Sequence, residues 1–138
     1  MLIKNSTIAV ITFKHLFNLF FSMDDKVVLQ ELKNKIKKHC EDRDWDQFHN
    51  AKDLAIGVST EAAELLEHFR FKSEKEVEEL FKDLKKKEEI SDEIIDVIWF
   101  AFRLAQKYNI DISEAFDKKL SKSEKKYPIE KSKGSNKK

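Results

Sequence analysis

Apolar residues recur at spacings of three and four over most of the chain after residue 24, and no long stretch alternates strictly between apolar and polar positions. The first spacing is typical of amphipathic helices, whereas strict alternation is typical of strands. The pattern predicts five helices, at about 24–42, 51–69, 74–87, 88–108 and 111–126. We therefore expect an all-α protein.

Residues typical of helix ends mark most of these boundaries. The expected N-caps, each followed three positions later by an acidic residue, are Asn50, Ser73 and Asp111, and the expected helix stops are Asn109 and Pro128. Only two glycines and one proline occur in the chain, so few turns are available and helices are favoured. These features predict an antiparallel bundle of four to five helices.

The first 22 residues do not follow this pattern. Lys14 and His15 interrupt their apolar runs, and the uninterrupted runs are too short to span a membrane. No A-x-A cleavage pattern of a signal peptide follows them. We divide the chain into an N-terminal extension outside the fold (1–22), one domain (23–128) and a basic flexible tail (129–138). A weak membrane anchor is the alternative for the extension.

Length and composition limit the classes of protein further. A chain of 138 residues suits one domain, and a net charge of +1 gives no signature of nucleic-acid binding. Cys40 is the single cysteine, which excludes an internal disulfide framework. Cys40 and the neighbouring His39 provide too few ligands for a zinc site, so we expect Cys40 to be an ordinary thiol.

Two of the predicted helices carry acidic residues at helical spacing with no basic residue among them. These residues are Glu61 and Glu64 on one helix, and Glu89, Asp92, Glu93 and Asp96 on the other. Residues three or four apart share a helix face, where like charges repel. In the predicted helix 74–87 acids and bases alternate instead, as on an ordinary solvated face. The acidic residues therefore form either a solvated face or, as we favour, a cation site between two helices.

Burial favours the cation. Asp96 and Arg103 are the only charged residues between Ile94 and Ala105, so we expect this part of the helix, Asp96 included, to be buried. Buried carboxylates without partners are either protonated or bound to a cation. Oxygen ligands alone favour Mg²⁺ or Mn²⁺, and Mg²⁺ held by carboxylates commonly recruits substrate phosphates. Phosphate chemistry is the expected function.

The remaining candidates are basic and aromatic. Five lysines of the last predicted helix, either a solvated face or contacts for phosphate oxygens, are Lys118, Lys119, Lys122, Lys125 and Lys126. The loop 43–50 contains Trp45, Phe48 and His49, which either stack on a nucleobase or cover the helix ends.

Together these residues resemble the all-α nucleoside triphosphate pyrophosphatases of the MazG-like superfamily, and most closely their dCTP pyrophosphatase-like branch. The motif of that superfamily is E-x-x-E, 12–28 residues, then E-x-x-D. Glu61-Ala62-Ala63-Glu64 matches its first half and Glu89-Ile90-Ser91-Asp92 its second, with a gap of 88 − 64 = 24 residues. Two outer segments, RDWDQFH at 43–49 and KKYP at 125–128, also resemble the branch.

The resemblance implies hydrolysis of a (d)NTP, with dCTP as one candidate, to monophosphate and pyrophosphate. It implies that Glu61, Glu64, Glu89 and Asp92 are catalytic and hold Mg²⁺, or Mn²⁺. One of these four, or a neighbour such as Glu88 or Glu93, would be the general base. The residues that would bind substrate are Trp45, His49 and Phe71 around the base, Asp96 beside the site, and Lys119 with Lys122 or Lys126 on the phosphates. Members of the superfamily form dimers or tetramers, so a homo-oligomer would complete the bundle.

Three positions differ from the branch: Asp96 where an aromatic residue is common, Ser123 where Asn is usual, and Phe71 where Trp is common in dCTP-specific members. These three differences bear on which nucleobase the protein prefers. As an enzyme of nucleotide metabolism the protein is expected in the cytoplasm, without bound nucleic acid and without stable membrane insertion. The alternatives are a non-enzymatic helical interaction protein and a phosphohydrolase acting on another nucleotide pyrophosphate, such as a histidine-pathway nucleotide.

Overall fold

The computed structural model describes residues 23–136, which form helices joined by short turns and contain no strand. The helices are α1 (Leu29–Glu41), α2 (Ala51–Glu67), α3 (Glu74–Leu80), α4 (Leu84–Lys107), α5 (Ile112–Lys126) and α6 (Ile129–Ser132), with 3₁₀ turns at Met23–Asp25 and Trp45–Phe48. The all-α prediction is confirmed for this part of the chain. The predicted N-terminal extension and its alternative as a membrane anchor lie outside the described residues.

The predicted caps are present. The side chains of Asn50 and Asp111 accept the backbone N–H groups of Asp53 and Glu114, at 3.0 and 2.9 Å. Ser73 forms a complete capping box with Glu76. Asn109 has the positive φ of 55° that is typical of a residue ending a helix.

Three predicted boundaries were wrong. The helix predicted at 88–108 begins at Leu84 because Asp83 caps it, accepting the backbone N–H groups of Lys85 and Lys86 at 2.9 and 3.1 Å. The preceding helix therefore ends at Leu80 rather than near residue 87. The first helix begins at Leu29, after the separate 3₁₀ turn, rather than at residue 24.

Helices α2 and α4 pair in antiparallel orientation, and theirs is the most extensive helix contact among residues 23–136. The Tyr108 hydroxyl near the end of α4 accepts the N–H of Ala51 at the start of α2, at 2.9 Å. Further along, a Cβ added to Gly57 would lie 2.4 Å from Cδ1 of Phe100. The missing side chain at Gly57 therefore allows the close approach of the two helices.

The buried apolar side chains are few. Among residues 23–136 they are Ile36, Cys40, Leu54, Ile90 and Ala105. Helix α1 contributes Ile36 and Cys40 and packs on α4. Helix α5 makes no extensive contact with another described helix and leaves Phe116 64% exposed. No helix between residues 23 and 136 combines the length and the apolar character that a bilayer span requires.

Candidate functional site

Three carboxylates from two helices converge in the middle of the α2–α4 pair. Glu61 and Glu64 lie one turn apart on α2, and Glu93 faces them from α4. One carboxylate oxygen of each residue lies within 4.8 Å of those of the other two. We call Glu61, Glu64 and Glu93 the acidic cluster.

The position of Glu93 follows from the apolar repeat of α4. An apolar repeat with spacings of three and four runs along α4 through Ile90, Val97 and Phe100. Glu93 occupies one position of this repeat, three residues after Ile90 and four before Val97. Ile90 is fully buried, and the other members of the repeat are half-buried. Glu93 therefore points towards α2, and its Oε2 is buried without a hydrogen-bond partner.

Burial and nearby negative charge both act on Glu61. Burial raises the pKa of its half-buried carboxyl group, and the nearby charges of Glu64, Asp96 and Glu93 raise it further. Carboxylates crowded in this way gain stability if a cation shares their oxygens.

The chemistry of the cluster fits a hard divalent cation. Its donors are carboxylate oxygens only, which Mg²⁺ and Mn²⁺ prefer. The buried oxygen of Glu93 receives no hydrogen bond from residues 23–136, although buried polar atoms usually have a partner. A bound cation would satisfy that oxygen and relieve the repulsion at Glu61.

The acids that the motif placed in the second half, Glu89 and Asp92, do not belong to the cluster. Glu89 is half-buried and pairs with Lys86 at 2.7 Å and with Lys85 at 3.9 Å. The hydrogen bond and charge of Lys86 lower the Glu89 pKa. Asp92 is exposed. Neither carboxylate therefore shows the crowding that marks Glu61 and Glu93.

The expectation that Asp96 is buried was wrong for the single chain, because Asp96 is exposed. It lies on the edge of the α4 surface that faces α2 rather than on the packed face. Its charge still contributes to the raised pKa of Glu61, so Asp96 is close to the acidic cluster.

A signal for Glu93 was present in the sequence. Glu93-Ile94-Ile95-Asp96 is a second E-x-x-D pattern, and its gap after Glu64 is 92 − 64 = 28 residues, within the spacing of the motif. The apolar repeat through Ile90 and Val97 distinguishes this pattern from the one that begins four residues earlier.

A turn rich in aromatic residues lies at the end of the α2–α4 pair where α2 begins and α4 ends. Trp45 and Phe48 in the 3₁₀ turn are 42% and 62% exposed. The ring of His39 packs edge-on against both Trp45 and Trp99, with centroids 5.5 and 4.9 Å apart. We call Trp45–Phe48 the aromatic turn, and its rings can receive a flat ligand.

His49 follows the aromatic turn and is half-buried, with Nδ1 lacking a hydrogen-bond partner. Burial lowers the pKa of His49, as do the charges of Arg103 and Lys107. The imidazole is therefore neutral at neutral pH, a form that has both a donor and an acceptor.

The remaining predicted site residues lie outside α2 and α4 and are exposed. Lys119, Lys122 and Lys126 are exposed on α5, and Lys126 lies 5.1 Å from the centre of the Tyr127 ring. Phe71 is 94% exposed, with a φ of 61°. It follows the C-terminal end of α2, whereas Trp45 and His49 precede its N-terminal end. A helix of 17 residues separates these ends by about 25 Å.

Comparison with known proteins adds to this geometry. The model of the MazG-like family matches residues 56–138, which include both halves of the acidic cluster. A rat protein named dCTP pyrophosphatase 1 is 28% identical over 115 residues, covering 83% of this chain and 68% of its own length. The human protein of the same name is 25% identical over 118 residues, covering 86% and 69%.

A solved structure is also similar. The crystal structure of a pyrophosphatase from Archaeoglobus fulgidus aligns with a TM-score of 0.67 and 35% sequence identity. The alignment covers 72% of this chain and 92% of that protein. The fold and the sequence resemblance therefore point to the same family, as the sequence motifs predicted.

Proposed function

Because this chain belongs to the MazG-like family, we propose that it is a metal-dependent nucleoside triphosphate pyrophosphatase. The reaction would convert a (d)NTP to the (d)NMP and pyrophosphate. The single observation that carries this proposal is the acidic cluster, in which three carboxylates from two helices converge and one buried oxygen has no hydrogen-bond partner in the described part of the chain. The pyrophosphatases among its relatives support the reaction class.

Glu61, Glu64 and Glu93 would hold the cation, with Asp96 at the edge of the site. A bound Mg²⁺ would neutralise phosphate charge and lower the pKa of a bound water. The protein contributes a fixed arrangement, because close packing at Gly57 and Phe100 holds α2 and α4 at a set distance. The motif assigned Glu89 and Asp92 to the same role, whereas the geometry favours Glu93 and Asp96.

We propose that the nucleobase stacks on the aromatic turn, with Trp45 and the neutral His49 as its principal contacts. Base stacking on aromatic rings contributes about 1–3 kcal/mol per base and tolerates different bases. dCTP is a candidate substrate, because the curated relatives carry that name. The differences at Phe71, Asp96 and Ser123 are the positions at which base preference would diverge.

We further propose that the protein acts as a homo-oligomer, a dimer or a tetramer. Large apolar side chains remain exposed on several helices of one chain, including Leu66 on α2 at 58%, Ile95 on α4 at 53% and Phe116 on α5 at 64%. Exposed apolar surface of this extent usually marks an interface. A second chain would also be needed if Phe71 and the α5 lysines reach the same nucleotide as Trp45. Light scattering on the purified protein tests this proposal, and a monomer would contradict it.

The test of the reaction is product analysis. The purified protein is incubated with Mg²⁺ or Mn²⁺ and a panel of dNTPs and NTPs, and the products are separated. Monophosphate with pyrophosphate supports the proposal, and the panel ranks the bases. Diphosphate with phosphate would be consistent with a metal site but would contradict cleavage between the α and β phosphates. Absence of turnover with both ions would favour a non-enzymatic helical interaction protein.

The matched variant is Glu64→Gln, which removes a proposed ligand from an exposed position of the cluster. We expect it to abolish turnover and to leave the helical circular dichroism spectrum unchanged. Full metal-dependent turnover in this variant would contradict the assignment of the cluster.

A further inference from the structure

The aromatic turn is attached to α4 by an ion pair. Among residues 23–136, Arg103 is the one charged residue that is buried, with 3% of its surface exposed. One guanidinium nitrogen donates to Oδ1 of Asp46, in the middle of the turn. The other terminal nitrogen donates to Oε1 of Gln106 at 3.3 Å, and Nε has no partner. The hydrogen bond from Arg103 lowers the pKa of Asp46, so its carboxylate is charged at neutral pH.

The same group of side chains fixes the backbone around the turn. Lys107 Nζ donates to the backbone carbonyl of Asp46 at 3.2 Å. Gln106 Nε2 donates to the carbonyl of Lys33 in α1 at 2.7 Å. Arg103 and Gln106 of α4 therefore connect three elements, α1, the aromatic turn and α4.

Stability alone does not explain this arrangement. Arg103 is buried whereas the Asp46 side chain is 36% exposed, so the pair must offset the cost of removing chiefly the Arg103 charge from water. Well-packed apolar residues of similar volume are often as stable. The unpartnered Nε of Arg103 adds to that cost. What the pair does provide is a single geometry for a turn whose rings, Trp45 and Phe48, face solvent.

The turn has a defined place relative to the acidic cluster. Arg103 follows Glu93 of the cluster by 103 − 93 = 10 residues, which corresponds to about 15 Å along α4. A nucleotide extends over a similar distance from its base to its phosphates. A base on the turn and phosphates at the cluster are therefore compatible with one extended ligand lying along α4.

We propose that the Asp46–Arg103 pair positions the aromatic turn for base binding. This inference rests on the proposed function. Asp46 and Arg103 act through Trp45 and are positioning residues rather than catalytic ones. Their loss is expected to weaken nucleotide binding while the acidic cluster, at a distance, continues to support the chemical step.

The test is the double variant Asp46→Asn with Arg103→Met, which removes both charges and leaves neither buried alone. We expect KM for the preferred nucleotide to rise about tenfold, because displaced rings lose stacking on the base, with kcat changed less than about threefold. The tryptophan emission should shift to longer wavelength as Trp45 becomes more exposed. Arg103→Lys, which keeps a charge at this position, should recover part of the affinity.

The matched control is Glu79→Gln with Lys82→Met, which removes an exposed pair of 2.6 Å between Glu79 of α3 and Lys82 in the turn that follows α3. It should leave both KM and emission unchanged. A double variant at Asp46 and Arg103 that folds and retains the wild-type KM and emission would overturn the inference. If it does not fold, the single variant Asp46→Asn decides: a wild-type KM and emission overturn the inference, and a raised KM with kcat changed less than about threefold supports it.

Failure of the proposed function can be distinguished from failure of this inference. A wild-type protein that hydrolyses no nucleotide contradicts the proposed function. The emission of the double variant still reports whether the pair fixes the turn. Active wild-type protein with an unchanged KM in the variants contradicts the positioning role alone.

Discussion

Two stretches of α4, Glu89–Asp92 and Glu93–Asp96, have the same E-x-x-D spacing and lie one turn apart. In the first, Glu89 pairs with lysines of its own helix and Asp92 is exposed. In the second, Glu93 faces α2 with a buried, unpartnered oxygen, and Asp96 contributes to the raised pKa of Glu61. A spacing motif places two acids on one side of a helix, but the helix that packs against them decides which acids meet.

The largest expected difference between the two stretches is in catalysis. Glu93→Gln should lower kcat/KM by about 100-fold or more, as expected when an electrostatic group at the reacting centre is removed. Glu89→Gln should stay within about threefold of wild type, because Glu89 is neutralised by Lys86. Steady-state assays on the two variants compare them directly. Equal losses, or a larger loss at Glu89, would restore the motif assignment.

The second difference concerns the aspartates. We expect Asp96→Asn to lower kcat/KM about tenfold, since Asp96 lies at the edge of the cluster and adds to its charge. Asp92→Asn should have less than about a threefold effect. The metal concentration for half-maximal activity should rise in the first variant only, and a rise in both would place Asp92 in the site as well.

The third prediction tests the helix contact that brings Glu93 to Glu61. Gly57→Ala places a Cβ against the ring of Phe100 and should lower the free energy of unfolding by about 1–3 kcal/mol. Urea denaturation measures this change. Adding Phe100→Leu should restore part of the stability, whereas Ala55→Gly, on the outward side of α2, is a control for helix propensity.

The smallest effect is expected in the metal-free protein. The pKa of Glu61 is raised in the folded state, so the folded protein binds its proton more tightly than the unfolded protein does. The stabilising contribution of the Glu61 proton to the free energy of unfolding is therefore fully present below the unfolded-state pKa. It is lost as the pH rises through the folded-state pKa. Glu61→Gln should remove this dependence and raise the neutral-pH Tm in the presence of a chelator. A lower Tm of the variant across the pH range would contradict the inferred repulsion between Glu61 and the neighbouring carboxylates.

The fold was predictable because its signals are local. Caps such as Asn50 and Ser73 determine helix starts through hydrogen bonds within three residues, and the apolar repeat identifies each helix. The start of α4 was missed because Asp83 is followed by Leu84 and three lysines, which give no apolar repeat to mark a new helix. Burial of Asp96 was overestimated because the apolar residues around it are themselves exposed in one chain, as Ile95 is.

The site was predictable only in part, because it depends on contacts between residues far apart in sequence. Glu61 and Glu64 were identified from their crowding on one helix. The choice between Glu93 and Glu89 depends on how α4 is rotated against α2, which the acidic spacing alone does not specify. The Asp46–Arg103 pair joins residues 57 positions apart, and neither residue has a local pattern that would predict it.

Cys40 has a practical consequence. It is the single thiol of the chain, it is completely shielded at the contact between α1 and α4, and burial raises its pKa. A thiol reagent can reach it only when α1 separates locally from α4. The rate of alkylation at Cys40 therefore gives the frequency of that opening, at one defined position and without any added probe. Comparing this rate with and without nucleotide shows whether ligand binding closes the bundle at a helix that does not itself carry the acidic cluster.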